Sequence, residues 1–278
     1  MAACAQALES WPGLTEATQM QAAAQNALAE AEKYFEEAQR FFDLTELAKA
    51  DVDCKKSLAI FPVYEPALAL QPKLQTGIKS TEQLYRDARA RCDAKELLKA
   101  EKLCSEALAK WCSHEAATKL SSEVRDKLAE MEKYYESASS HFAATELAKA
   151  DADCQKSLAI FPAHQQTTAL HAQVKTALAT AEEHYSTAAS VFAEASTMDA
   201  VAMRRVDEEC AHALQIFVGH EAALQLKKDV AVHLQSDRAF QQGTVAIAEA
   251  QYASAAAKFA EAARLIVNSG GMGAPGPS

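Results

Sequence analysis

The sequence predicts an all-α chain built as a helical-repeat solenoid, and three observations carry that prediction. The segment Glu46 to Pro62, ELAKADVDCKKSLAIFP, returns one hundred residues later as Glu146 to Pro162, with only Val52 and Lys55 exchanged, for Ala152 and Gln155. A weaker copy lies midway, from Glu96 to Trp111, and self-similarity at a fixed period is the signature of a repeat array. The chain also holds only 8 Gly and 7 Pro in 278 residues, with abundant Ala, Glu, Gln, Leu and Lys, a composition that favours helix nearly throughout.

The repeat is best anchored on its cysteine. Cys4, Cys54, Cys104 and Cys154 stand 50 residues apart, Cys210 follows after 56, and Phe259 takes the equivalent place 49 further on. Leu8, Leu58, Leu108, Leu158 and Leu214 come four residues after the anchor, and Trp11, Phe61, Trp111, Phe161 and Phe217 seven after it. Offsets of four and seven fall on one helix face, which defines a short helix B of about 15 residues. Thr45, Asp93 and Thr145 precede it as N-cap candidates, and Pro12, Pro62 and Pro162 close it.

Upstream of each B helix runs a longer apolar stripe: Leu70, Leu74, Ile78, Thr81, Tyr85, Ala88 and Cys92 in one unit. Leu120, Val124, Leu128, Met131, Tyr135, Ala138 and Phe142 repeat it in the next, and Leu170, Val174, Leu178, Ala181, Tyr185, Ala188 and Phe192 in the one after. Steps of three and four fit an amphipathic helix A of about 28 residues, some 42 Å long. Pro66 and Pro72 are expected to delay or kink the second long helix. Six extra residues between Val191 and Cys210 predict a longer A–B connection in the fourth unit.

The expected organisation is an orphan B helix of a preceding repeat at 1–13, then repeats at 14–62, 63–112, 113–162, 163–218 with the insertion, and 219–267. A disordered tail follows at 268–278. The orphan helix reads either as a cap or as the sign that the array continues upstream, and the second reading is preferred because caps diverge from the repeat consensus.

Net charge is −10, which argues against phosphate-backbone binding, so no nucleic-acid partner is expected. No run of about 18 or more uncharged apolar residues suggests a membrane span, and no membrane partner is expected. The cysteines recur as a buried small apolar position and not as a disulfide framework, so a reducing compartment, the cytoplasm, is expected. Cys92 and Cys112, which do not recur, are expected to be the more exposed thiols.

The inner part of each unit resembles the tetratricopeptide repeat. Tyr34, Ala38 and Phe41 stand at the large, small and aromatic places of helix A, and Leu47, Ala50, Cys54, Ser57 and Pro62 match helix B in order and spacing. Tyr134, Ala138, His141, Leu147, Ala150, Cys154, Ser157 and Pro162 match equally, and Gly243, Tyr252, Ala255, Phe259 and Ala262 fit the last unit. The second unit, around Leu84, Ala88, Leu97, Ala100, Cys104 and Ala107, ends at Cys112 where Pro is expected, and the fourth is the most degenerate. The resemblance covers roughly residues 31–267 and implies a right-handed α-solenoid of helix hairpins. A 50-residue unit in place of the family's usual 34 implies extended A helices.

Such arrays bind extended or helical peptides across the inner faces of their A helices, so the implied function is a non-catalytic protein-interaction scaffold or adaptor. Two ladders fall on that face: Phe35, Tyr85, Tyr135, Tyr185 and Phe240, and three residues earlier Glu32, Glu82, Glu132, Glu182 and Asp237. Read as a groove, they accept a basic, amphipathic segment of a partner protein or peptide. Read as structure, the aromatics join the core stripe and the acids form a solvated face; both readings stay open. The subfamily that clamps the carboxylate terminus of heat-shock chaperones needs Lys, Asn and Arg, where this chain has Phe35, Gln39, Arg86, Glu132 and Glu136. A co-chaperone role is therefore not expected. The alternative to a groove is a structural assembly or dimerisation module of a larger protein.

No catalytic site, cofactor or metal is expected. His114, His164 and His220 recur at the start of helix A and read as helix-start residues stacking on the preceding repeat, with Tyr64 filling that place once. The chain carries no C-x-x-C, no Gly-rich phosphate loop and no G-x-S-x-G elbow.

Overall fold

A computed structural model describes residue 6 and residues 9–11, 15–195 and 200–269 of the chain. Cys4, Leu8 and Pro12 of the expected orphan helix lie outside the described residues, as do 270–278 of the expected tail. Among the described residues from Thr15 onward, ten helices follow one another: α1 Thr15–Asp43, α2 Leu47–Ile60, α3 Glu65–Asp93, α4 Leu97–Lys110, α5 Glu115–Ala143, α6 Leu147–Ile160, α7 Gln165–Glu194, α8 Ala200–Ile216, α9 Glu221–Ala248 and α10 Tyr252–Ser269. Among the described residues there is no strand, and no helix is long and apolar enough to cross a membrane. The chain divides into two compact units, Met1–Ala129 and Glu130–Ser278, the division falling within α5.

Long and short helices alternate. α1, α3 and α5 have 29 residues each, and α2, α4 and α6 have 14. Within the first unit α1 packs on α2, α2 on α3 and α3 on α4; within the second α6 packs on α7, α7 on α8, α8 on α9 and α9 on α10. Adjacent helices thus form hairpins, the pattern of a helical repeat.

The stripes explain why. Leu70, Leu74, Thr81, Ala88 and Cys92 of α3 are buried, as are Leu170, Val174, Ala181 and Ala188 of α7. Fully burying one such Leu or Val side chain contributes about 1.5–3 kcal/mol. Ala38, Ala88, Ala138 and Ala188 on the long helices and Ala50, Ala100 and Ala150 on the short ones are all 0% exposed. With only a methyl group at these places, helix axes approach closely and leave no room for a larger side chain. The recurring cysteines Cys54, Cys104, Cys154 and Cys210 are likewise at 0%. Ser57 Oγ in turn donates to the carbonyl of Ala31 at 2.7 Å, and Ser157 Oγ to that of Met131 at 3.2 Å, tying each short helix to the long one before it.

The turns differ from the expected N-caps. Thr45, Lys95, Thr145 and Ala250 all have positive φ, between 55° and 59°. The N–H of each bonds back three residues, and the next N–H bonds back five, as in Thr45 to Phe42 at 3.0 Å and Glu46 to Phe41 at 2.9 Å. This is the Schellman closure of a helix C-terminus. Thr45 and Thr145 therefore terminate the long helix, and Asp93 is its last residue; Glu46, Glu96 and Glu146 occupy the N-cap positions of the short helices. The sequence points to the wrong cap because Thr usually signals an N-cap, whereas a left-handed C′ residue is usually Gly.

Of two further expectations, the delayed start of the second long helix is not met, and the longer A–B connection of the fourth unit is. Pro66 falls within the first two positions of α3, where N–H groups lack intrahelical partners in any case, so the helix start is not delayed, and Pro72 stands inside a continuous helix. The insertion mostly lengthens helices. α7 reaches 30 residues and α8 reaches 17, leaving five residues between them where the earlier hairpins have three.

Candidate functional site

The aromatic ladder is set by its place on the stripe. Phe35, Tyr85, Tyr135 and Tyr185 are each half-buried, one turn before the fully buried alanine of the stripe. Each meets the residue that opens the next long helix: Phe35 meets Tyr64 at 5.6 Å between ring centroids, Tyr85 meets His114 at 5.5 Å, Tyr135 meets His164 at 5.5 Å and Tyr185 meets His220 at 5.0 Å. Three of the opening residues meet a second ring, Trp111 on His114 at 4.7 Å, Phe161 on His164 at 6.1 Å and Phe217 on His220 at 5.8 Å. Burial pushes the Tyr64 phenol up, with the charges of Glu32 and Glu36 adding to the shift.

The histidines have a second task. Nδ1 of His114 accepts the N–H of Ala117 at 3.1 Å, and Nδ1 of His220 accepts that of Ala223 at 3.2 Å, so both rings cap the helix they precede. Accepting through Nδ1 leaves the ring proton on Nε2. That nitrogen faces a ladder acid in each case: His114 Nε2 lies 3.3 Å from Glu82 Oε1, and His220 Nε2 lies 3.3 Å from Glu182 Oε2. His164 differs, pairing Nδ1 with Thr167 Oγ1 at 2.6 Å, and Thr167 Oγ1 pairs in turn with Ser157 Oγ at 3.0 Å.

The acidic ladder is therefore not uniform. Glu82, half-buried, and Glu182, exposed, sit against histidines, whereas Glu32 and Glu132 are exposed and pair with no histidine among the described residues. Asp237 is half-buried and accepts from Gln241 Nε2 at 2.8 Å. Its partner Phe240 is the outlier among the aromatics, 43% exposed and edge-on to Phe259 at 5.3 Å. With His233, Ser236, Phe259 and Ile266, Asp237 and Phe240 line a cavity of about 260 Å³ in the last hairpin. Glu32, Phe35, Glu82 and Tyr85 belong to the first unit, and Glu132, Tyr135, Glu182, Tyr185, Asp237 and Phe240 to the second.

The recurring thiols lie in low-dielectric surroundings. Burial pushes the Cys54 and Cys104 thiols up, and it pushes those of Cys154 and Cys210 up to about 11, the opposite of what a nucleophile needs. Of the two non-recurring cysteines, Cys112 is exposed and Cys92 is buried. Lys127 Nζ stands 3.6 Å from Cys92 Sγ, with Glu123 Oε1 2.8 Å from the same ammonium.

Three groups of metal-ligating type that sequence reading passed over converge on α7 and α8: His184, Glu209 and His212. The legible half of that signal is the three-residue spacing of Glu209 and His212 on one helix face; the other half, His184, is 25 residues upstream and joins only through packing. Compared with models of protein families, with curated proteins and with solved structures, the chain matches none.

Proposed function

We propose that the chain is a non-catalytic interaction scaffold of tetratricopeptide type, a right-handed solenoid that binds a basic, amphipathic segment of a partner protein along its long helices. The observation that supports this most is the construction of the rungs. In each of the first four, an aromatic ring is braced by the residue that opens the next long helix, and a carboxylate stands three residues before it. A ring already fixed in place loses little entropy on binding, and a neighbouring carboxylate selects for a cation. Fluorescence polarisation with a labelled Lys/Arg-rich amphipathic peptide tests the reading. Binding is expected to weaken as salt rises and to fall further in E32K/E132K, which reverses the two exposed ladder acids that do not face a histidine. Binding that ignores both salt and these charges overturns it.

A structural module is the second reading, and one observation favours it. The last hairpin exposes large apolar side chains, among them Phe240, Val245, Ile247, Tyr252 and Val267, at 43% to 74%. Light scattering on the same sample separates the two: a stable dimer with no peptide binding supports assembly.

A further inference from the structure

We propose that His184, Glu209 and His212 form a binding site for a divalent transition-metal ion of the zinc class. His184 projects from α7, and Glu209 and His212 stand one turn apart on α8. His184 Nδ1 and Glu209 Oε2 are 2.8 Å apart, the two imidazoles lie 5.4 Å apart between centroids, and one ligand atom from each of the three residues falls within 4.8 Å of the other two. A tetrahedral ion with bonds of about 2.0–2.2 Å holds its ligand atoms roughly 3.3 Å apart. The short pair must open and the longest gap must close, which side-chain rotation supplies with the backbone fixed, since His212 is exposed and His184 and Glu209 are partly so.

In two other units the repeat brings these three places together as well. The corresponding positions one unit earlier are Tyr134, Asp153 and Lys156, and three units earlier Tyr34, Asp53 and Lys56. There the fold brings the same three places together for another purpose. Lys156 Nζ sits 5.3 Å over the Tyr134 ring and 2.9 Å from Asp153 Oδ1; Lys56 Nζ sits 5.3 Å over the Tyr34 ring and 2.7 Å from Asp53 Oδ1. In the fourth unit the tyrosine is replaced by histidine, the aspartate by glutamate and the lysine by histidine. A cation bound to a ring and a carboxylate has given way to two imidazoles and a carboxylate, all three of which donate to a metal.

The chemistry of the donors narrows the ligand. Two imidazoles with one carboxylate suit Zn²⁺, Ni²⁺ or Cu²⁺, whereas Ca²⁺ and Mg²⁺ require oxygen donors in larger number. Exposure of His212 leaves the remaining coordination position to water. The ion would join α7 to α8, so its role is to brace that hairpin. This inference stands apart from the scaffold reading, because it concerns different residues and a different ligand.

The test is calorimetric titration of ZnCl₂ into the untagged, EDTA-stripped full chain, with Co²⁺ absorption in the visible as a direct report of imidazole ligation. The expected result is one ion per chain, a Co²⁺ d–d band and a melting temperature raised by Zn²⁺. In H212Q, which alters an exposed side chain, the band is lost, the affinity falls at least about tenfold and Zn²⁺ no longer raises the melting temperature. Cys112 is present in both proteins, so thiol binding cancels in the comparison. E209Q provides a second variant should circular dichroism show H212Q to be misfolded. Equal binding by the wild type and the folded variant, or no binding by the wild type, overturns the proposal.

Discussion

Glu146 and His141 are joined twice, the backbone N–H of Glu146 to the carbonyl of His141 at 2.9 Å and the side chains from Nδ1 to Oε2 at 2.7 Å. Glu96 and Arg91 repeat the arrangement, at 2.9 Å through the backbone and 2.7 Å through the side chains. A six-residue backbone ring is thus clamped by a side-chain hydrogen bond across the residue that must adopt the left-handed conformation. In the first case that residue is Thr145, with φ 57°. A β-branched side chain there is strained by about 1–2 kcal/mol, and Gly relieves the strain at a smaller cost in chain entropy. T145G is expected to raise stability by about 1 kcal/mol, read as a higher urea midpoint at unchanged slope. A lower midpoint would mean that the threonine side chain holds the turn through packing.

Close approach of the short helix to its neighbours gives the second expectation. Ala150 is 0% exposed and belongs to the cluster of Ala138, Leu147, Cys154, Leu170 and Val174. A150L has no space to enter and should cost roughly 1–3 kcal/mol through overpacking. Because repeat stability is a sum of local and nearest-neighbour terms, the thermal melt should also broaden or split. A melt that overlays the parent's would show that the position does not lie between helices.

Such positions were legible because packing repeats. Any residue that faces the same neighbour every 50 residues leaves its mark in spacing, as the buried Ala38, Ala88, Ala138 and Ala188 do. The stacking of His114, His164 and His220 was legible for the same reason. Two kinds of feature were not. Thr45, Lys95 and Thr145 share a backbone conformation but no residue type that signals it, so the C-terminal closure was read as an N-cap. His184 joins Glu209 and His212 in a unit that departs from the repeat, and a feature found once has no period to reveal it. Cys92 belongs here as well: its place on the stripe pointed to burial, but its failure to recur at the cysteine anchor was read as exposure, and the stripe decides.

Thiol chemistry follows from the same burial. Cys154 and Cys210, at 0% exposure, have their thiols pushed up to about 11, burial being the largest cause. At neutral pH almost none of either is thiolate, and the reagent has no path to it. Among the described cysteines, Cys112, exposed at the turn after α4, should react first with a disulfide reagent in the native protein. Cys54, Cys104, Cys154 and Cys210 should become reactive only on unfolding. Mass spectrometry after a short native pulse checks this, and early labelling of Cys154 would contradict the packed core.

Asp153 is one of the carboxylates of the second unit, with Glu146 and Asp151, that tie stability to acid pH. Asp153 accepts from Lys156 Nζ at 2.9 Å and from Ser137 Oγ at 2.7 Å, and its carboxyl is held below the usual aspartate range, first by Lys156 and then by Ser137, against the upward push of burial. A folded-state value below the unfolded one means that the unfolded chain binds more protons in acid. The stabilisation is therefore complete above the unfolded aspartate value of about 3.9 and is lost as pH falls through the lower folded value. D153N keeps an acceptor for Ser137 but removes the charge that Lys156 meets. Urea unfolding of the two proteins across the acid range should show the wild type more stable near neutrality, with the difference shrinking as pH drops below about 4. A difference that stays constant through that window would mean that the carboxylate charge contributes nothing and that D153N acts through packing alone.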